Sequence, residues 1–146
     1  MSSASGTIGD AEYRGLLAFR DELRHFLHWS EQQAIDAGIT PAQYQLLLAV
    51  RGHPGGAPTV RDVADHLLLR HHSVVGLVDR AVAADLVERR ADPDDQRVVR
   101  LRLTAAGARV LRRLAESHLR ELRRRAPAFN PALLNGGADR ETEGTP

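Results

Sequence analysis

Cysteine and lysine are both absent from this chain of 146 residues, and aromatic residues make up only 4% of it. Without cysteine, the protein has no disulfide bond, no thiolate metal ligand and no thiol redox switch. Hydrophobic residues make up 42% of the chain, so we expect a core of aliphatic side chains on packed helices. No apolar run approaches the roughly 20 residues that span a bilayer, and the N-terminus lacks the features of a signal peptide. These absences predict a mainly helical, cytoplasmic protein without membrane contact.

The charge is distributed unevenly, although the formal net charge is only +1. Residues 1–36 hold three Arg and six acidic residues, whereas residues 87–125 hold twelve Arg and six acidic residues. A basic segment of this kind is typical of a surface that binds the phosphates of a nucleic acid. The sequence therefore points to nucleic-acid contact near residues 87–125.

Apolar residues at helical spacing predict a first helix over residues 10–38. A second helix begins after Thr40, since Thr40 and Gln43 have the spacing of a capping box and Pro41 stands at the first helical position. Gly52 begins the segment that ends this helix. Two amphipathic helices therefore precede the middle of the chain.

Two short helices follow, and they are joined by a tight turn at residues 68–69. Thr59, with Asp62 three residues later, predicts the N-cap of the third helix, and the fourth spans about residues 70–84. This order is typical of a helix-turn-helix, whose second helix enters the major groove of DNA.

The start of the fourth helix carries three residues that oppose the helix dipole, Arg70, His71 and His72. Each opposition costs about 0.3–1 kcal/mol, and no Ser, Asp or Asn occupies the cap position. A docked phosphate would remove the conflict. The alternative is the solvated end of a poorly capped helix, and this segment alone does not decide between them.

Residues 92–107 predict a basic β-hairpin followed by a helix start, because a Pro-Asp-Asp turn lies between the strand-like runs 86–90 and 98–103. Val99, Leu101 and Leu103 are expected to pack, while Arg100 lies on the opposite, cationic face. Arg97 at the tip is placed to enter the minor groove, with Asp95 as its ion-pair partner. The alternative is an ordinary hairpin with a surface ion pair.

Thr104 is expected to cap a long helix that ends near residue 125. Its apolar stripe is broader than a lone surface helix needs, which predicts a partner helix. Past Pro127 the helical pattern is interrupted, and the polar residues 135–146 are expected to be disordered. The residues of the stripe are Leu111, Leu114, Ala115, Leu119 and Leu122.

The first helix carries His25 and His28 on one face, followed by Trp29. These residues fit a pocket wall, plain packing or half of a metal site, but the sequence places no third or fourth ligand. We therefore predict no metal or other cofactor. Ser73 near His71 and His72 does not have the spacing of a catalytic triad, and no Gly-rich phosphate loop or HExxH motif is present. No enzymatic activity is expected.

Three motifs together resemble one protein family. Residues 77–80 read Leu-Val-Asp-Arg, and residues 39–41 read Ile-Thr-Pro. The hairpin carries Asp-x-Arg followed, after five residues, by Leu-Thr-x-x-Gly, at Asp95, Arg97, Leu103, Thr104 and Gly107. From about residue 12 to 126, the chain resembles the multiple antibiotic resistance regulator (MarR) family of winged-helix transcription factors.

The resemblance implies a winged helix-turn-helix lobe (39–103), flanked by an N-terminal dimerisation helix (10–38) and a C-terminal dimerisation region (104–134). It also implies a homodimer that binds a palindromic operator in double-stranded DNA, usually as a repressor released by a small aromatic or phenolic ligand. The alternative is a winged-helix protein-interaction module without specific DNA binding. The predicted DNA-binding residues are Thr59, Arg70, His71, His72, Ser73, Val75, Gly76, Asp95, Arg97 and Arg100, and the predicted pocket residues are His25, His28 and Trp29.

The sequence departs from the family pattern before the first strand and at the C-terminus. Residues 83–85 read Ala-Ala-Asp where the family commonly has a turn with Gly, but Asp85 tolerates a left-handed conformation better than most residues. The final dimerisation helix is short or missing, which bears on the geometry of the dimer.

Overall fold

A computed structural model of the protein describes residues 6–129. Within this range the chain forms five α-helices and a two-stranded antiparallel sheet, which confirms the predicted fold class. A short 3-10 helix, Ala126–Phe129, follows the last α-helix. The elements are α1 (Asp10–Asp36), α2 (Pro41–Gly52), α3 (Val60–Leu67), α4 (His71–Ala83), β1 (Val87–Ala91), β2 (Val99–Leu103) and α5 (Ala105–Arg125).

Two helices begin at the capping boxes that the sequence predicts. The Thr40 hydroxyl accepts from the Gln43 N–H at 3.1 Å, and the Gln43 side chain accepts from the Thr40 N–H at 3.0 Å. Thr59 and Asp62 form the same pair of bonds at the start of α3, at 3.2 and 2.9 Å. A cap of this kind stabilises a helix by about 1 kcal/mol. Both helices therefore begin where the sequence predicts.

Residues 30–119 form one compact unit. Its core is aliphatic, as the composition predicts, and it includes Ala34 near the end of α1 and Leu111 and Leu114 in α5. Parts of both flanking helices are therefore buried within this unit, while the segment boundaries at residues 38 and 104 stay a prediction. The largest fully buried side chains are Leu46, Leu47, Leu101, Val63, Val74, Val78, Val87 and Pro58.

The hairpin is attached to the start of α5 through a backbone junction. The Thr104 hydroxyl donates to the Asp85 carbonyl at 2.6 Å, and the Thr104 N–H donates to the Leu86 carbonyl at 3.1 Å. The Gly107 N–H in turn donates to the Thr104 hydroxyl at 3.0 Å, which caps α5. A Cβ at Gly107 would lie 2.0 Å from the Leu86 carbonyl oxygen, so only glycine fits there. The Leu-Thr-x-x-Gly motif is therefore a packing requirement.

The second compact unit combines residues 1–29 and 120–146, of which the structure describes 6–29 and 120–129. Arg125 bonds to Glu121 at 2.6 Å and to Glu22 at 3.3 Å, and Phe19 meets Phe129 edge-on with ring centres 6.0 Å apart. Many large apolar side chains of this unit are nevertheless exposed, among them Ile8, Tyr13, Leu16, Leu17, Leu23, Leu27 and Leu122. The tail predicted as disordered (135–146), and the end of the predicted dimerisation region, lie outside the described residues.

Candidate nucleic-acid interface

Helix α4 has one buried face and one exposed face. Val74, Leu77, Val78 and Ala81 are buried in the lobe core. The start of the opposite face carries the predicted recognition residues: His71, His72 and Ser73 are exposed, and Val75 and Gly76 are half-buried. The packing of the buried face therefore points these five residues outward.

The N-terminus of α4 has no side-chain cap. Arg70 occupies the N-cap position with an extended backbone, and its side chain makes no capping hydrogen bond. Its carbonyl accepts from the N–H groups of Ser73 and Val74, at 3.1 and 3.2 Å. Because α2 and α3 both have capping boxes, α4 differs from its neighbours in exposing an uncapped first turn next to the Arg70 guanidinium, which suits an anion.

The tip of the hairpin presents one guanidinium group to solvent. Arg97 donates from Nε and Nη2 to the two carboxylate oxygens of Asp95, at 3.0 and 3.1 Å, while its side chain remains 91% exposed. These two bonds and a third one from the Arg97 backbone N–H lower the pKa of Asp95. The ion pair that the sequence predicts is thus present, and it fixes the guanidinium at the tip.

Arg100 is engaged by the protein itself. Its Nε donates to Asp92 Oδ2 at 2.5 Å and its Nη1 donates to the Ala57 carbonyl at 2.9 Å, and the side chain is only 37% exposed. Strand alternation correctly places Arg100 on the face opposite Leu101, but the loop between α2 and α3 lies against that face. Thr59, another predicted DNA contact, uses its hydroxyl and N–H in the capping box of α3.

An ion pair that the sequence did not reveal joins α4 to the hairpin. Arg89 on β1 donates to Asp79 on α4. Asp79 belongs to the Leu-Val-Asp-Arg motif at residues 77–80. The ten-residue separation crosses from a helix to a strand, so neither helical nor strand periodicity could have indicated this pair.

The MarR family model matches residues 37–98, which run from the end of α1 to the tip of the hairpin. These residues contain the helix-turn-helix, the uncapped start of α4 and the Asp95–Arg97 pair described above. Over these residues the chain matches the MarR family. The resemblance inferred from the three sequence motifs is confirmed, and the hairpin is the wing of a winged helix-turn-helix.

A curated relative and two solved structures are similar to this chain. HTH-type transcriptional repressor NicR of Pseudomonas putida is 33% identical over 81 residues, which cover 56% of this chain and 50% of NicR. The chain thus spans about half the length of this curated relative. AbsC, a MarR family transcriptional regulator from Streptomyces coelicolor, is 22% identical with a TM-score of 0.70, over 90% of this chain and 89% of AbsC. CouR from Rhodococcus jostii, crystallised with p-coumaroyl-CoA, is 22% identical with a TM-score of 0.65, over 76% and 77% of the two chains.

The predicted pocket residues lie on α1. His25 and His28 are exposed, and the half-buried Trp29 stacks on Phe26 with ring centres 6.0 Å apart. Their role in a ligand pocket stays a prediction. Among residues 6–129, no group of three or more His, Cys, Asp or Glu side chains is arranged to hold a metal ion.

Two histidine contacts were missed at the level of sequence. His118 is buried, stacks on Tyr44, and places Nδ1 2.7 Å from the Leu114 carbonyl and Nε2 2.7 Å from the Ser30 hydroxyl. Because a carbonyl oxygen only accepts, Nδ1 carries the hydrogen, and in the neutral ring Ser30 donates to Nε2. His53 and His66 meet through their ring nitrogens at 2.8 Å. The partners lie 88 and 13 residues apart, so no local pattern could indicate them.

One open pocket of the lobe lies between α2 and α5. Its volume is about 390 Å³, and its walls are mostly aliphatic, with Leu48, Leu111 and Ala115 among the lining residues. A cavity of this size and polarity fits a small aromatic molecule.

In the part of the chain that the structure describes, no helix has the length and apolar character needed to cross a membrane.

Proposed function

We propose that this chain is a sequence-specific DNA-binding transcription regulator that acts as a homodimer on a palindromic operator. The observation that carries the proposal is that one compact unit combines an uncapped start of α4, with Arg70 at the N-cap, and a wing tip that exposes Arg97. The first feature suits a major-groove helix anchored at a phosphate, and the second suits minor-groove insertion. Repression, as in the name of NicR, is part of the proposal.

The exposed apolar surface of the other unit supports the homodimer. Leu16, Leu23 and Leu27 are all exposed, and their positions in the sequence place them on one face of α1 as an apolar stripe. A monomer rarely leaves such a continuous apolar patch in contact with water. A second copy would cover it and would carry the second winged-helix lobe needed to read a two-fold symmetric operator.

Within this proposal, six of the predicted residues have a defined kind of contact. Arg70, His71 and the first N–H groups of α4 would contact phosphates, whereas Ser73, Val75 and Gly76 would face base edges in the major groove. Arg97 would enter the minor groove. The proposal assigns no catalytic step to the chain.

Relief by a small aromatic or phenolic ligand is the second part of the proposal. CouR was crystallised with a coumaroyl thioester, which contains a phenol, and the pocket between α2 and α5 has suitable aliphatic walls. Such a ligand weakens operator binding only if it favours a conformation that does not fit DNA.

Selection from a pool of randomised duplexes tests the DNA-binding function, because the pool contains every candidate half-site. We expect enriched sequences with two-fold symmetry and half-sites about one helical turn apart, and an affinity that falls steeply as salt rises. If no duplex is enriched even at low salt, the proposal is wrong. Affinity that does not depend on salt would instead favour the protein-interaction module.

Arg97→Ala tests the wing on the selected duplex. We expect the affinity to fall severalfold or more, and the slope of log Kd against log salt to fall by about 1, because one cationic contact is lost. Arg112→Ala is the matched control, since Arg112 is also an exposed arginine paired with a carboxylate, Glu116, but lies on α5. Equal affinities for the Arg97 variant and the wild type at moderate salt would refute the role of the wing.

A further inference from the structure

A continuous series of hydrogen bonds links the body of the lobe to the wing tip. It begins at the Ala57 carbonyl, passes through Arg100 to Asp92, and continues from Asp92 Oδ1 to the backbone N–H groups of Asp94 and Asp95, at 2.8 and 3.1 Å. Asp95 then holds Arg97 through its carboxylate. We call the Asp92–Arg100–Ala57 part of this series the wing clamp. Arg97 is therefore connected to the lobe through side chains as well as through the strands.

The tip has little apolar packing to orient it. The anchor nearest to the tip is Leu101, which is fully buried and whose N–H donates to the Pro58 carbonyl at 2.8 Å. Two residues closer to the tip, Val99 is already 43% exposed. A two-stranded hairpin is marginally stable without such packing, so polar contacts have to fix its outer half. The wing clamp acts in this outer half, between Leu101 and the turn.

Charge and burial set Arg100 apart from the arginine at the tip. Arg97 is 91% exposed, whereas Arg100 is 37% exposed and its partner Asp92 is 13% exposed. Arg100 already donates from Nε and Nη1 to protein acceptors, and a guanidinium group presents a rigid fork that matches two such acceptors at once. A lysine at this position would keep the charge but would not reproduce both bonds.

We propose that Arg100 is a positioning residue, which together with Asp92 fixes the wing tip so that Arg97 reaches the DNA. This inference rests on the proposed DNA-binding function, and it replaces the direct DNA contact that the sequence predicts for Arg100. The wing clamp acts on DNA only through the geometry of residues 94–97.

Asp92→Asn gives the sharpest test, because a purely electrostatic effect and the loss of the wing clamp predict opposite changes in DNA affinity. Removal of a negative charge near DNA should strengthen binding if only the electrostatic field matters. The wing clamp predicts that binding weakens by about threefold or more, because the neutral amide holds Arg100 and the tip N–H groups less strongly. Asp94→Asn is the matched control: it removes the same charge at an exposed tip position, and the side chain of Asp94 takes no part in the described bonds of the clamp.

A double-mutant cycle separates positioning from direct contact. If Arg100 acts through Arg97, Arg100→Lys weakens DNA binding in the wild type by about threefold or more and has almost no effect in the Arg97→Ala background. If Arg100 contacts DNA itself, Arg100→Lys retains most of the affinity, or its effect adds to that of Arg97→Ala. Additive effects, or tighter binding by Asp92→Asn, overturn the inference.

Amide hydrogen exchange of the free protein provides a readout that needs no DNA. Exchange at the N–H groups of Asp94 and Asp95 should be faster in Asp92→Asn and Arg100→Lys than in the wild type and Asp94→Asn, with the helical circular dichroism unchanged. Unchanged exchange overturns the wing clamp. If the wild type binds no selected duplex, the proposed function fails and the inference fails with it. If the wild type binds while the cycle is additive, only the inference fails.

Discussion

Substitution of Gly107 tests the packing of the wing against α5. An alanine Cβ would lie 2.0 Å from the Leu86 carbonyl oxygen, 2.9 Å from its carbonyl carbon and 3.1 Å from its Cα. These are backbone atoms, so no side chain can rotate away. Overpacking of this kind costs about 1–3 kcal/mol or somewhat more. The Leu86 carbonyl would also lose its bond from the Thr104 N–H, at about 1 kcal/mol.

The gain in helix propensity from Gly to Ala offsets about 1 kcal/mol of this cost. We therefore expect Gly107→Ala to lower the free energy of unfolding by about 1–3 kcal/mol or somewhat more. Urea denaturation followed by circular dichroism measures this change, at a fixed protein concentration because association adds to apparent stability. Gly52→Ala is the control, since a Cβ at Gly52 meets no atom within 4 Å. If Gly107→Ala is as stable as the wild type or as Gly52→Ala, the packing argument is wrong.

Two further predictions concern the unit formed by the chain ends. Arg124 and then Arg125 lower the pKa of Glu121 from 4.5 to about 2, so the ionised form stabilises the fold above pH 4.5, and this contribution is lost as the pH falls towards 2. Acid unfolding of Glu121→Gln should therefore depend less on pH in this window than that of the wild type or of Glu116→Gln, and parallel curves would contradict the assignment. Leu27→Asp should raise the dimer dissociation constant by about tenfold or more, as measured by sedimentation equilibrium, because Leu27 belongs to the apolar stripe of α1. Leu68→Asp removes an exposed leucine outside this unit and should leave the constant unchanged, and an equal effect of both variants would argue against the α1 interface.

The sequence predicts the order of the elements because each helix start has a local signal. Thr40 with Gln43, and Thr59 with Asp62, are three residues apart, and both pairs form the expected hydrogen bonds. The Asp95–Arg97 pair is equally local. Within the candidate interface, hydrogen bonds between residues that are close in sequence could therefore be predicted.

Contacts between residues that are distant in sequence could not be predicted. Strand alternation places Arg100 on the outer face of β2, which is why the sequence predicts a DNA contact there, but it does not reveal the bond to the Ala57 carbonyl, 43 residues away. His118 and Ser30 are 88 residues apart. Such contacts depend on how the elements pack, and neither periodicity nor capping motifs record that packing.

Three helices end in the same way, and this shared ending explains how helix α4 is held. The carbonyls of Ala34, Ala64 and Ala81 accept from an N–H five residues later, at 3.1, 3.1 and 2.9 Å. In each case the residue before the donor is left-handed: Gly38 (φ 83°), Leu68 (φ 54°) and Asp85 (φ 57°). This is the Schellman ending, which usually takes glycine.

Only the first of these endings has glycine, so helix α4 lies between two left-handed residues that carry side chains. Each such residue costs about 1–2 kcal/mol of backbone strain, and this strain persists only where the surrounding structure requires the turn. After α4, the turn at Asp85 is required because it buries the Leu86 side chain and directs the Leu86 carbonyl to the Thr104 N–H at the start of α5. Before α4, the left-handed residue is Leu68, in the turn of the helix-turn-helix. Its side chain is 90% exposed, so packing of that side chain does not offset the strain. The direction of α4 is therefore set by backbone bonds at both of its ends, and the exposed side chains of its first turn remain free of any structural task.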